Sequence, residues 1–471
     1  MSPMIGASMM CAVATGFFEA QGIHPRQMNR LALIGAFLAG SGPIPELAAA
    51  QPPPVAIEWS RYQLQNGLNV VLAPDDTQGE VSIELWIHVG ARHEAPGRFG
   101  LAHLFEHAMP FGQGVIRTRL GRQLLDSMRT NSNAITRFDY TRFYLQARPE
   151  ALDLFLLAAA DRLRADPVLE LTAERVEAHR RNVTAEIDRA ASGTWGWPVK
   201  AALHAGTFGL DHPYGHHIYG SEAETRETSA DDLLRWFRAH IRPEYATLIV
   251  VGRFDATAAQ VAIQRAFGAI PGGTRPGRAA PSVPAVKPVT DTVMIASGRS
   301  HVFLSWAVPQ AASEERAPLA LLARVLTERL TATRPPSVEN AVAETEFWEL
   351  AGRFGLRVTF PSTAEADGRV IDTWLRLALA DLVANGVTEP ELRRARNAEV
   401  ADIREQLMAL GWQRSRSELL GEGVIFSDDP GAHRRELMRQ LTVTPDVAHR
   451  TALRWLSDSP FCLVVRGVAR K

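Results

Sequence analysis

Apolar residues stand at every second position from Val81 to Val89, with Ser82, Glu84 and His88 between them. That period of two predicts a strand with one face turned to a core. Asn66-Gly67, between Tyr62–Leu64 and Leu68–Leu72, predicts a hairpin turn just upstream. After the Val81 strand come Gly90, a polar loop containing Glu94-Ala-Pro-Gly97, and a helix that starts at a turn on Gly100. A strand around Asn133 follows, then a helix opened by Pro149 that carries Leu152, Phe155, Leu156 and Ala159 at helical spacing. Thr172 is placed to cap a helix over Ala173 to Ala191, and Ser229-Ala-Asp-Asp232 caps one through Leu233, Trp236 and Phe237. Thr247–Val251 reads as a buried strand.

From 271 to 288 the chain is rich in Gly and Pro without periodicity, the signature of a flexible linker. Beyond it the same order recurs. Thr388 to Ile403 echoes Thr172 to Ile187 at an offset of 216, which predicts two related halves, 55–270 and 289–471. Residues 55 to about 270 alternate predicted strands and helices. Two half-size units on a flexible linker are expected to open and close.

Length and charge change this picture little. A chain of 471 residues exceeds the ~250–300 at which single cores stop growing, consistent with two units. Lys+Arg and Asp+Glu number 51 and 52, so no charge imbalance points to nucleic acid. The two cysteines, Cys11 and Cys462, exclude a disulfide framework, and neither has the spacing of a thiolate metal site. Residues 24–54 do add something. Arg26 and Arg30 precede the apolar run Leu31–Ala39, and Leu47-Ala48-Ala49-Ala50 resembles a cleavage site, so 1–50 reads as an export signal region. The expected destination is a bacterial periplasm, with a membrane-anchored N-terminus as the other reading of the same segment.

The chemistry lies in Gly100-Leu-Ala-His103-Leu-Phe-Glu106-His107. On a helix, His103 and His107 are i and i+4 and project from one face, so both imidazoles can reach one ion. Glu106 stands beside them, placed to take a proton from a water rather than to bind metal. This is H-x-x-E-H, the order of the inverzincin peptidases. A second group, His212, His216 and His217, lies in Asp-His-Pro-Tyr-Gly-His-His, which reads as a Pro/Gly loop and not as a metal site.

Val81 to Gly112, Asn133–Tyr144, Val183–Ile187, His212–Gly220 and Pro243–Gly252 together resemble the insulinase/pitrilysin family of zinc metallopeptidases, which includes the mitochondrial processing peptidases. The resemblance covers about 55–471 and is stronger in the first half. It implies Zn²⁺ held by His103, His107 and Glu186, with Glu174 and Glu177 as less favoured third ligands. It implies that Asn133 and Ala134 hold a peptide substrate as an added strand. Where the family has a second glutamate seven residues before the third ligand, this chain has His179, so that partner for the ligands is altered. The fold that the resemblance implies is α+β: two alike halves, each a sandwich of sheet and helices, facing one another as a clamshell.

Applying the offset of 216, His103 falls on Leu319, Glu106 on Leu322, His107 on Ala323 and Glu186 on Asp402. The second half therefore has the helices without the ligands. The family also uses an arginine and a tyrosine from its C-terminal half to bind substrate and steady the oxyanion. Here the last tyrosine is Tyr245, and the corresponding stretch is Ala343-Glu-Thr-Glu-Phe347-Trp348. The resemblance thus implies a zinc endopeptidase subunit completed by a homologous subunit bearing the Arg/Tyr pair. The alternative is a binding or assembly subunit of the same fold without turnover.

Overall fold

The structure, a computed structural model, describes residues 57–109, 119–164, 171–191, 196–275, 277–362 and 368–468. The export-signal region and the end of the Val81–Gly112 block lie outside them.

Six strands form the first sheet: β1 (Ser60–Gln63), β2 (Asn69–Pro74), β3 (Val81–Ile87), β4 (Arg129–Thr136), β5 (Thr141–Ala147) and β6 (Ala246–Gly252). Their order is β1-β2-β6-β3-β5-β4, so β4 is an edge strand. The helices of this half are α1 (Leu101–Ala108), α2 (Arg119–Met128), α3 (Leu152–Arg164), α4 (Ala173–Ala191), α5 (Trp197–Phe208), α6 (Glu222–Glu227), α7 (Ala230–His240) and α8 (Ala256–Phe267). The hairpin forms as the sequence predicts, with β1 antiparallel to β2 and Gly67 at φ 90° in the turn. Thr172 Oγ1 accepts the Arg175 N–H at the start of α4, and Ser229 and Asp232 form a capping box on α7.

The second half contains β7 (Thr290–Ala296), β8 (Arg299–Val308), α9 (Arg316–Ala332), β9 (Asn340–Phe347), β10 (Gly352–Pro361), α10 (Gly368–Asn385), α11 (Glu389–Met408), α12 (Arg416–Ser427), α13 (Ala432–Thr442), α14 (Pro445–Trp455) and β11 (Phe461–Val468). Its sheet runs β7-β11-β8-β10-β9. This repeats β2-β6-β3-β5-β4 strand for strand, down to the parallel pairing of β2 with β6 and of β7 with β11. The internal repeat read from the sequence is thus a repeat of topology.

The halves are joined more tightly than a linker would require. Val199 and Leu203 of α5, from the first half, belong to the core of the second sheet. Leu420, Val424 and Ile425 of α12, from the second half, pack with Val71, Trp86, Ile249 and Val251 of the first. Each half therefore lends one helix to the other's sheet. Both lent helices carry a glycine where a ring from the other half arrives: a Cβ on Gly206 would meet Phe461 at 2.1 Å, and one on Gly421 would meet Trp86 at 2.2 Å.

Polar bonds lock the same boundary. Ser417 Oγ donates to the buried Glu84 carboxylate (2.5 Å), Arg142 pairs with Glu418 (3.1 Å), and the Tyr214 hydroxyl donates to Asp139 (2.7 Å) while accepting the Leu350 N–H (2.9 Å). The segment expected to be a flexible linker is irregular but pinned. Arg278 reaches the Ile425 carbonyl and Glu349, and the Ser282 N–H donates to the Leu350 carbonyl. Opening the halves about it would expose the shared core, so the segment is held rather than free. The physical reason is long-range: a Gly/Pro-rich segment lacks regular structure by itself, and its contacts come from residues far along the chain.

Candidate metal centre

α1 is short, and its N-terminus is held by an unusual cap. Gly100 sits at φ 90° and has no side chain to offer, so the free N–H groups at this end need another acceptor. Glu94, buried in the preceding loop, supplies it: its carboxylate accepts the N–H of Gly100 (2.9 Å) and of Ala102 (2.7 Å). Leu101, Leu104, Phe105 and Ala108 face the core, which leaves His103, Glu106 and His107 toward β4 and α4.

α4 brings Glu186 across to them. Its Oε2 lies 3.2 Å from His107 Nε2 and 3.9 Å from His103 Nε2, so both imidazoles point at one carboxylate oxygen. Glu106 accepts a hydrogen bond from Thr136 Oγ1 (2.6 Å) at the end of β4. Ligand atoms of His103, Glu106 and His107 fall within 4.8 Å of one another, the only such group of three among the described residues. Glu186 lies outside that tight group but satisfies the two histidines directly. Two imidazoles, each neutral when it ligates, and a carboxylate are a donor set that suits Zn²⁺ and leaves a fourth position free. The runner-up Glu177 is instead turned to Arg180 and Arg181.

Burial shapes the electrostatics. It pushes His103 down to about 3, helped by His107, so this imidazole is neutral and able to ligate. Burial likewise raises Glu106 above the usual carboxylate range, against the pull of the Thr136 hydrogen bond. Glu186 is lowered by its hydrogen bond with His107. His179 is half-buried on α4, and its imidazole is lowered by burial first and then by the neighbouring His107; His107 itself is raised, the lowering by burial being outweighed by its hydrogen bond with Glu186 and the charge of Glu106.

Asn133 and Ala134 lie on edge strand β4, Asn133 exposed and Ala134 half-buried, and the Ala134 N–H is taken by Asn133's own Oδ1 (2.9 Å). His212, His216 and His217 do not gather on one point. His212 Nε2 donates to the Ser282 carbonyl, His216 Nδ1 bonds the His217 carbonyl, and His217 Nδ1 accepts the Tyr219 N–H.

In the second half, Leu319, Leu322 and Ala323 are buried in the core as their types predict. Asp402, equivalent to Glu186, pairs with Arg324 of α9, which also pairs with Glu399. A guanidinium thus neutralises the acidic helix there. The strand capped by Phe347 also differs: the Thr327 hydroxyl bonds both the N–H (2.8 Å) and the carbonyl (3.2 Å) of Ala343 on edge strand β9.

Sequence reasoning missed three contributors: Glu94, Thr136 and Tyr219. The Tyr219 ring stacks on His103 with centroids 4.2 Å apart, and its hydroxyl donates to Glu186 Oε1 (3.5 Å). Burial pushes its phenol up to about 12. The two glycines at 100 and 220 were the available signal, since each precedes or follows one of the joined segments.

A model of the insulinase peptidases (peptidase family M16) matches residues 69–222, and a model of the peptidase M16 inactive domain matches 228–399. The chain belongs to the M16 insulinase family. An uncharacterized zinc protease of Bacillus subtilis, YmxG, is 29% identical over 196 residues, 41% of this chain and 46% of that protein. The beta subunit of the mitochondrial-processing peptidase of Caenorhabditis elegans is 27% identical over 230 residues, 48% of each. These alignments span about half the length of the curated relatives. Among solved structures, a protease from Helicobacter pylori matches with a TM-score of 0.74 at 18% identity, covering 87% of this chain and 99% of that one. The periplasmic protease PqqL of Escherichia coli matches with a TM-score of 0.69 at 16% identity, covering 88% of this chain and 48% of that one. At these identities the structural likeness establishes the M16 fold of two halves. Among the described residues no helix is long and apolar enough to cross a membrane.

Proposed function

We propose that this M16 chain is a zinc-dependent endopeptidase acting on extended peptides, and that it is the zinc-bearing subunit of a pair. The observation that carries the reading is the convergence of His103 and His107 Nε2 on Glu186 Oε2, with Glu106 held alongside by Thr136. His103, His107 and Glu186 would hold the metal. Zinc, when bound, polarises a scissile carbonyl and lowers the pKa of water. Glu106 accepts the proton of the attacking water and hands it to the leaving amine, a transfer suited to a carboxyl whose pKa burial has raised. The Thr136 hydroxyl fixes which oxygen of Glu106 stays free. The open edge of β4 at Asn133 and Ala134 takes the substrate as an added strand, with Asn133 Oδ1 yielding the Ala134 N–H.

The absence of any tyrosine after Tyr245 supports a partner. Phe347 and Trp348 supply rings without a hydroxyl, and a lost oxyanion donor costs on the order of 2.7–4 kcal/mol of barrier. That same absence, with His179 in place of a carboxylate, favours the second reading, a non-catalytic subunit of this fold. Export is part of the proposal, supported by the 1–50 signal reading and by the periplasmic PqqL neighbour.

Purified protein is expected to hold about one zinc per chain and His103→Ala to lose it with the fold retained. The isolated chain should cleave peptides weakly, and strongly once mixed with a homologue that lacks H-x-x-E-H but carries the tyrosine. Glu106→Gln should keep zinc and abolish that activity. Zinc bound without turnover in the mixture would favour the second reading, and zinc surviving in a His103→Ala, His107→Ala double variant would sink the site.

A further inference from the structure

Tyr219 enters the site because two backbones touch. Gly100 (φ 90°) and Gly220 (φ 61°) both take the left-handed conformation that favours glycine. A Cβ on Gly100 would stand 2.2 Å from the Tyr219 carbonyl oxygen, and one on Gly220 would stand 1.9 Å from that of Phe99. The turn that starts the metal-motif helix and the end of the His212–Gly220 loop are therefore in main-chain contact. Trp197 Nε1–H donates to the Gly220 carbonyl, and His217 Nδ1 accepts the Tyr219 N–H, so the loop is held from its other side as well.

The result is one side chain touching two of the three residues read as ligands. The ring lies on His103, nearly parallel at 19°, and the hydroxyl reaches Glu186 Oε1 while Oε2 faces the imidazoles. His103 needs such support. A ligating histidine ordinarily gives its other ring nitrogen to a carboxylate or carbonyl, which fixes the ring. The buried Nδ1 of His103 has no hydrogen-bond partner among the described residues. The acidic partner expected seven residues before Glu186 is also absent, its place taken by His179.

We propose that Tyr219 is a positioning residue for the metal site, its ring setting the plane of His103 and its hydroxyl setting the rotamer of Glu186. The inference rests on the reading of His103, His107 and Glu186 as the zinc ligands. It assigns the support of two ligands to a loop residue 33 positions beyond Glu186 that belongs to neither motif.

The test compares wild type, Tyr219→Phe and Tyr219→Leu by zinc affinity in competition with a chromogenic chelator, and by the visible absorption of the cobalt(II)-substituted protein. Tyr219→Phe keeps the ring and loses the hydroxyl. It should weaken zinc binding about 10-fold and change the cobalt band as Glu186 swings free, with the melting temperature of the metal-free protein unchanged. Tyr219→Leu loses both contacts and should approach 100-fold. Should the leucine variant fail to fold, the phenylalanine variant carries the test. A Tyr219→Phe protein with wild-type zinc affinity and an unaltered cobalt spectrum would overturn the inference while leaving the zinc reading standing. A wild-type chain that takes up no zinc would overturn both.

Discussion

Leu420→Ala tests the interlocking of the halves. Leu420 is fully buried, sits on α12 of the second half, and packs in a cluster with Val71, Trp86, Ile249 and Val251 of the first-half sheet. Truncation to alanine removes three carbons from that cluster and leaves a cavity which the sheet cannot close, at a cost of about 3 kcal/mol. The consequence depends on how the halves are coupled. If each half of roughly 200 residues unfolded by itself, that loss would lower the melting temperature of the second half alone by about 6–12 °C, at about 2–4 °C per kcal/mol. If the exchanged helices make one cooperative unit, the unfolding entropy is about doubled, and a single transition should shift by about 3–6 °C. Native-state hydrogen exchange gives the sharper readout. The slow amides of β6 belong to the first half, yet they should exchange about a hundredfold faster in Leu420→Ala, because the free energy of the opening that exposes them has fallen by the same 3 kcal/mol. The mirror substitution, Leu203→Ala on α5, should do the same to β11 and β8. Unchanged protection of β6 in Leu420→Ala, with losses confined to α12 and its own half, would refute the coupling.

Thr136→Val keeps the shape of a buried β-branched residue and removes the hydroxyl that holds Glu106. In the active assembly kcat should fall on the order of 10-fold with KM little changed, the size of one hydrogen bond to an ionised group, and an unchanged kcat would remove Thr136 from the site. In the second half, the hydrogen bond from Arg329, with those from Thr388, holds Glu391 down at about 2 against an ordinary 4.5. A depressed carboxylate stabilises the fold above its unfolded value, and the gain disappears as pH falls from about 4.5 through 2. Because Glu391 is only partly buried, solvent screens its ion pair, and Glu391→Gln should cost about 1 kcal/mol at pH 7 and almost nothing at pH 2, measured by urea unfolding. A pH-independent difference would assign the loss to packing instead.

Much of the fold and of the site is legible in the sequence because both are written in local spacing. His103 and His107 share a face by the helical period alone, and Glu106 falls beside them. The strand at Val81–Val89, the Thr172 and Ser229 caps and the Asn66-Gly67 turn each form where short-range pattern and turn chemistry demand. The repeat at an offset of 216 is likewise visible in one dimension, and at the positions offset from His103, Glu106 and His107 the second half buries Leu319, Leu322 and Ala323.

Other features depend on residues distant in sequence, whose meeting no local period encodes. Nothing in the sequences of α5 and α12 marks which sheet they cover, and only packing decides that each covers the other half's sheet. The 271–288 segment carries every mark of a flexible linker, yet Arg278 and Ser282 are bonded to residues near 350 and 425. Glu94 reads as a polar loop residue until its carboxylate is found capping α1, and Tyr219 as a loop aromatic until Gly100 and Gly220 bring two backbones into contact. The sequence by itself determined the helices and strands around the chemistry-bearing motif, the repeat and the motif itself, since these follow from interactions a few residues long. The tertiary structure alone decided which side chains hold that motif in place and that the two halves are one interlocked unit, because those outcomes depend on long-range fit.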